Sequence, residues 1–258
     1  MNAELLRAIR YFTREKEIMT GLTLVCEAGG QTASAMDGDV HEDSVFDLAS
    51  LTKLFTGLCA MRLKEEGLLA FGRPVSYYDS RFGGLKDVTV AQLMSFTAEL
   101  KTPGRIDACT GREEARRCLF GTVSVGEPAG RAYSDIPSMV LKYVIEAAAS
   151  MPLADFVRET VLDRAGMAET WARVPAERLA DCQRYAPEYR MMEGTPLRRN
   201  GAGPGIPHDP KAAMLQGDSG DLCGHAGLFS TASDMTRFCR AVLEEKIVSA
   251  ESLREMAA

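Results

Sequence analysis

Apolar positions recur at three- and four-residue steps along much of this chain, which predicts a mainly helical protein. Leu5, Leu6, Ile9 and Phe12 in "MNAELLRAIRYFTREKE" give an amphipathic helix at the start. The next segment, "GLTLVCEAGGQTASAM", has a different pattern. Thr23 to Cys26 and Thr32 to Met36 read as short strands, and Gly29-Gly30 supplies the backbone freedom of a hairpin turn. Beyond a polar connection, Leu51, Leu54, Phe55, Leu58 and Met61 form a helical stripe, widened by Leu48, Ala60 and Leu63. A stripe that broad predicts a buried helix, with Asp47 or Ser50 as N-cap and Gly67 as C-cap. Further helices are expected in "TVAQLMSFTAEL", "IPSMVLKYVIEAAAS", "LADFVRETVLDRAG" and "TASDMTRFCRAVLEE", the last capped by Thr231 or Ser233. Glycine, proline and charge accumulate between Pro187 and Gly224, which predicts a long irregular loop there. No internal repeat is present.

Composition narrows the function classes. The 258 residues are 46% hydrophobic and 26% charged, the profile of a globular protein with a sizeable core. A net charge of -6 gives no electrostatic footprint for nucleic acid, and the pairs Arg116-Arg117 and Arg198-Arg199 are too short to reverse it. No apolar run approaches the roughly 20 residues that span a bilayer, and the charged first segment is not a signal peptide. The expected setting is therefore cytoplasmic, without membrane or nucleic-acid partners. The seven cysteines are odd in number, scattered and free of any C-x-x-C pair, and there are three histidines. That pattern suggests no disulfide framework, no metal site and no cofactor.

Candidate chemistry centres on "FDLASLTKLFTGL", residues 46 to 58. A helix advances about 100° per residue, so Ser50 and Lys53 lie one turn apart on one face. Desolvation favours the neutral form of a lysine, and a neutral amine can take a serine proton. The helix N-terminus adds partial positive charge where an oxyanion would form. The bland alternative is a capping serine and a solvated lysine. A second candidate, "AGRAYSDIPS", puts Tyr133 and Asp135 just before a helix. Tyr133 could handle protons beside Lys53, and Asp135 could hydrogen-bond the lysine or a substrate amide. The alternative there is a packed tyrosine, with Ser134 or Asp135 as the helix cap. Two decoys carry less weight. Ser219 in "QGDSGD" lacks the β-rich frame and partners of a serine protease triad, and His208-Asp209 in "PHDP" fits a turn.

Four stretches in order, "FDLASLTKLFTGLCAMRLKEEGLLAFGRPVSYYDSRFGG", "DVTVAQLMSFTAEL", "YSDIPSMVLKYVIEAAASMPLADFVRETVLDRAGM" and "CGHAGLFSTASDMTRFCRAVL", resemble the serine β-lactamase-like family. That family includes class C β-lactamases, penicillin-binding DD-peptidases and related esterases, and the resemblance runs from about residue 20 onward. It implies an α+β fold of the β-lactamase/transpeptidase type, a helical subdomain with an antiparallel sheet. One domain over 1–258 is expected, with the sheet hairpin and nucleophile helix in about 20–70 and a mainly helical remainder. The resemblance implies Ser50 as the acylated nucleophile, Lys53 as its base and Tyr133 as the second proton-transfer group. Asp135 then holds the third position of the tyrosine motif and serves substrate binding. The implied substrate is a small molecule: a β-lactam, an ester or a peptide-like amide.

Several positions depart from the family pattern. Phe96-Thr97-Ala98-Glu99-Leu100 carries a glutamate where a glycine is expected, and the loop before Tyr133 is one residue short. The third family motif, Lys/His-Thr/Ser-Gly, is absent. Lys101-Thr102-Pro103 lies too early, and His225-Ala226-Gly227 aligns with the turn before the last family helix. The C-terminal strands of the sheet are missing from the pattern too. The hairpin is therefore expected to keep one open edge, to be completed by another chain or by a missing C-terminal segment. The alternative to a hydrolase is a non-catalytic binding or scaffold relative of the same fold.

Overall fold

The structure, a computed structural model, describes residues 2–126, 130–185, 188–192, 195–199, 202–217 and 219–257. Its first helix, α1 (Asn2–Arg10), continues through a wider π turn over Tyr11–Glu15 and lies on the following hairpin. Strands β1 (Gly21–Ala28) and β2 (Gln31–Gly38) pair antiparallel and are longer than their apolar patterns predicted. Gly29 and Gly30, at φ of +57° and +75°, close the two-residue turn, a conformation that glycine takes without a Cβ penalty. Asp37 of β2 anchors α1, accepting hydrogen bonds from Thr13 Oγ1 at 2.6 Å and Arg14 Nε at 2.8 Å.

A short strand, β3 (Val45–Asp47), leads through one 3-10 turn into the central helix α2 (Thr52–Glu65). Neither Asp47 nor Ser50 caps α2 through its side chain, because the 3-10 turn Ala49–Leu51, which includes Ser50, puts Leu51 at the cap position. Helices α3 (Val75–Tyr78) and α4 (Val90–Ser95) follow, α4 with a capping box between Thr89 and Gln92. The helix expected over "TVAQLMSFTAEL" stops at Phe96, whose φ is +56°, and Glu99–Lys101 forms strand β4 instead. Then come α5 (Arg112–Phe120), β5 (Val123–Gly126), α6 (Ile136–Ala149) and α7 (Leu153–Val157). A π turn leads on to α8 (Asp163–Ala165) and the two-residue strand β6 (Thr170–Trp171).

Among its described residues, the region expected to be irregular holds three elements: a hairpin of β7 (Glu188–Met192) with β8 (Thr195–Arg199), and helix α9 (Pro210–Leu215). Pro196 and the charged residues masked the strand pattern, and Pro210 suits the first turn of a helix. The chain ends with β9 (Phe229–Thr231), α10 (Ala232–Leu243) and α11 (Ala250–Ala257). Thr231 rather than Ser233 caps α10, accepting from Asp234 N at 3.2 Å.

Helix α2 is the core of the molecule. It packs against α6, α7 and α11, and Phe55 stacks on Phe238 of α10 with ring centroids 4.5 Å apart. Phe55, Met61 and Leu63 of α2 join Met139, Val144 and Ile145 of α6 in one buried cluster. Leu51 and Leu54, expected in the buried stripe, are exposed at 48% and 42%, because they face an open cavity. Strands β3, β9 and β6 form a three-stranded antiparallel sheet in that order. Among the described residues β1 and β2 pair only with each other. No described helix is long and apolar enough to cross a membrane.

Candidate active site

Ser50 sits where the chain turns from strand to helix. Asp47 Oδ1 accepts from Ala49 N at 2.8 Å, and Ala49 takes the left-handed region at φ +44°, uncommon for a residue with a Cβ. Leu48 N donates to Leu228 O at 2.8 Å, and Leu228 N donates to Thr52 Oγ1 at 3.3 Å. The serine turn is thus clamped to the segment that leads into β9.

One helical turn on, Lys53 Nζ donates to Ser50 Oγ at 2.9 Å, to Asp135 Oδ1 at 2.8 Å and to the carbonyl of His225 at 3.2 Å. These three acceptors are the full complement of an ammonium. The Lys53 side chain is only 9% exposed although Ser50 itself faces solvent. The ammonium also lies 4.9 Å from the centre of the Tyr133 ring, and that ring rests on Phe96 with centroids 5.4 Å apart. The backbone supports this packing, since Ala132 N donates to Phe96 O at 3.0 Å. The "SFTAEL" segment thus carries the tyrosine loop. Tyr133 reaches Lys53 by its ring face, is 67% exposed, and its hydroxyl makes no hydrogen bond to Ser50 or Lys53.

Asp135 occupies the N-cap position of α6 but its side chain makes no cap hydrogen bond; Ser134 Oγ accepts from Ile136 N at 3.4 Å instead. Its carboxylate is left to pair with two cations, Lys53 on one oxygen and Lys211 Nζ at 3.0 Å on the other. Burial pushes its pKa up, but the hydrogen bonds from Lys53 and Lys211 and the nearby His225 outweigh that, and the net direction is down. Lys211 continues to Asp209 Oδ2 at 3.5 Å, and Asp209 Oδ1 meets His225 Nε2 at 2.9 Å. Asp209 also caps α9 through Lys211 N and Ala212 N, which fulfils the turn expected in "PHDP" and adds an ion pair to it. Burial raises the pKa of Asp209 too, yet its bond to His225 and the charge of Lys211 hold it well below the usual carboxylate range.

Ser50, Lys53, Tyr133 and Asp135 are therefore brought together from the 3-10 turn and start of α2 and from the loop before α6. Sequence reasoning missed Lys211 and the His225 carbonyl and gave Asp209 only a turn; they arrive from distant stretches with no spacing signal. Asp135, Asp209 and His225 place ligand atoms within 4.8 Å of one another. Lys211 already bridges the two carboxylates, so the group is a closed ion-pair network.

A cavity of about 490 Å³ opens beside Ser50 and Lys53. Leu51, Leu54, Leu93, Phe96, Leu141 and Met256 make its lining mainly apolar, a size and character suited to a small organic ligand.

Comparison with known proteins shows the family and the fold. The family model described as Beta-lactamase matches residues 13–258. The chain is 26% identical over 261 residues to Penicillin-binding protein 4* of Bacillus subtilis (strain 168), covering 92% of this chain and 55% of that one. It is 28% identical over 233 residues to Esterase EstB of Burkholderia gladioli, covering 79% and 58%. The solved Beta-Lactamase/D-Alanine Carboxypeptidase from Pseudomonas syringae matches with a TM-score of 0.70 at 18% identity, covering 98% of this chain and 68% of that chain. At that identity the likeness shows the fold: the β-lactamase/transpeptidase-like α+β architecture expected from the four stretches. The chain spans 60% of the length of the first curated relative it matches, a Mycobacterium tuberculosis protein, and 55% of the penicillin-binding protein.

Proposed function

The chain belongs to the Beta-lactamase family, and on that premise we propose that it is a serine hydrolase that forms an acyl-enzyme on Ser50. The observation that carries this reading is the 2.9 Å contact of Lys53 Nζ with Ser50 Oγ, made by a lysine sheltered from solvent. After losing one proton, Lys53 accepts the Ser50 hydroxyl proton as Oγ bonds the substrate's acyl carbon. The lysine then returns that proton to the leaving alcohol or amine as its bond to the acyl carbon breaks. Water releases the acyl group by the same path in reverse. Tyr133 keeps the ammonium in place through its ring and supplies the second proton-transfer hydroxyl when it turns toward Ser50. Asp135 acts through Lys53, and its remaining lone pairs can accept from a substrate amide. The apolar cavity favours an acyl group with an aliphatic or aromatic body on an ester, amide or lactam.

Incubation with a fluorescent fluorophosphonate tests the reading: the P–F bond breaks, a P–O bond to Ser50 forms and fluoride leaves. Mass spectrometry is expected to find the adduct on the Ser50 peptide and none in Ser50→Ala. An unlabelled protein, or short-chain p-nitrophenyl esters hydrolysed no faster than by Ser50→Ala, would favour the binding-module alternative.

We also infer that the open edges of the β1–β2 hairpin take further strands, from a continuation of the chain or from a second chain. Unpaired edge groups, the exposed Leu51 and Leu54, and the greater length of the structural neighbours support this. Ser50 labelling faster in a chain of the neighbours' length than in this one is the expected result.

A further inference from the structure

The hydrogen-bonded chain around Lys53 does not end at Asp135. Lys53, Asp135, Lys211, Asp209 and His225 alternate along one path, with contacts of 2.8, 3.0, 3.5 and 2.9 Å. Lys53 comes from α2, Asp135 from the loop before α6, Lys211 and Asp209 from the start of α9, and His225 from the segment before β9. Asp107, in the 3-10 turn Ile106–Ala108 packed on α9, also feels the charge of Lys211. Tyr133 covers Lys53 on its other side.

This arrangement bears on the proton that Lys53 must lose. A carboxylate at 2.8 Å favours the charged lysine, which opposes its use as a base. A second cation on the other carboxylate oxygen competes for the same negative charge and weakens that hold. Resting on the hydrolase reading, we infer that Lys211 is a positioning residue: its ammonium shares Asp135 with Lys53 and so sets how readily Lys53 gives up the proton that blocks it from serving Ser50. The pairing runs both ways. Burial pushes the pKa of Lys211 down, and Asp209 and Asp135 outweigh that and hold it above the ordinary lysine value, so it remains the charged partner.

The test compares the intact chain with Lys211→Met and Lys211→Arg, with circular dichroism as a check of folding. The rate of fluorophosphonate labelling at Ser50 is measured across pH. In Lys211→Met the acidic limb of the rate is expected to move up by about one pH unit, roughly tenfold slower labelling at a fixed pH on that limb. Lys211→Arg keeps the cation and is expected to restore the wild-type profile. A merely structural role would lower the rate without moving the limb, and that result overturns the inference. A second measurement stands apart from reactivity: the 13C-NMR titration of Lys53 Cε, whose midpoint is expected to move up in Lys211→Met. An unmoved midpoint sinks the inference whether or not Ser50 reacts. A moved midpoint with no labelling supports it and counts against the hydrolase reading alone.

Discussion

Gly224 sets the segment that meets Lys53 from the far side. Its φ is +81°, and a Cβ there would lie 2.5 Å from the carbonyl oxygen of Ser138 in α6. Its own carbonyl accepts from Thr56 Oγ1 at 2.7 Å, and the next carbonyl, that of His225, accepts from Lys53. Gly224→Ala must push this segment off α6 and draw the His225 carbonyl away from Lys53. The backbone strain alone is expected to cost about 1–3 kcal/mol in a urea titration, and Ser50 labelling should slow. An alanine variant as stable and as reactive as the parent would show that the segment yields without moving the site. Ser50→Ala differs in kind. Ser50 is solvent-facing and among the described residues its hydroxyl meets only Lys53, so stability should stay within about 0.5 kcal/mol while labelling is lost.

Between elements, Asp234 ties α10 to the three-stranded sheet. The residue is buried, and its Oδ2 accepts from Glu169 N at 2.6 Å and Thr170 Oγ1 at 2.9 Å. Its Oδ1 pairs with Arg237, and its own N–H donates to the Thr231 cap. Asp234→Ala leaves the buried Thr170 hydroxyl and the Glu169 N–H without this acceptor, so about 3–5 kcal/mol of stability should go. The capping residues give an internal control. Thr231→Ala should cost about 1 kcal/mol and the exposed Ser233→Ala almost nothing. The reverse order in denaturant titrations would mean that Ser233 is the working cap.

For the whole molecule, carboxylates held by cations set the acid limit. Hydrogen bonds from Arg14 and then Thr13 lower the pKa of Asp37 to about 2. Asp135, Asp209 and Asp221 are also lowered: burial works upward in each, and their cationic partners prevail. Asp221 is held by Lys142 at 2.9 Å and Arg116 at 2.6 Å, tying α6 to α5. Each group stays ionised in the folded protein at a pH where the unfolded chain takes up a proton. Their stabilisation is therefore complete above about pH 4, the ordinary aspartate value. It falls away as pH drops through the folded values, which for Asp37 means toward about 2. Thermal unfolding between pH 7 and pH 2 should show Tm falling steeply only below about pH 4. A flat Tm to pH 2 would mean that these pairs contribute nothing.

The sequence alone determined what local geometry dictates. Helix pitch put Ser50 and Lys53 on one face, the Gly29-Gly30 turn made the hairpin, and the order of four stretches pointed to the family. The alternatives left at Thr231 or Ser233, and at Ser134 or Asp135, needed the structure, because two neighbouring oxygens satisfy a cap pattern equally well. The tertiary structure alone decided that the His225 carbonyl reaches Lys53 and that Lys211 and Asp209 extend the network from Asp135. Only the packing of α9 on α5 and on the 3-10 turn Ile106–Ala108, and of the segment before β9 on α2 and α6, brings them there, and no periodicity records such a meeting. It also decided that Tyr133 offers its ring face, because Phe96, in a left-handed backbone conformation, sets the surface on which that ring rests. Leu51 and Leu54 follow the same logic: their spacing fixed the helix face they occupy, and the cavity beside Ser50 left that face exposed.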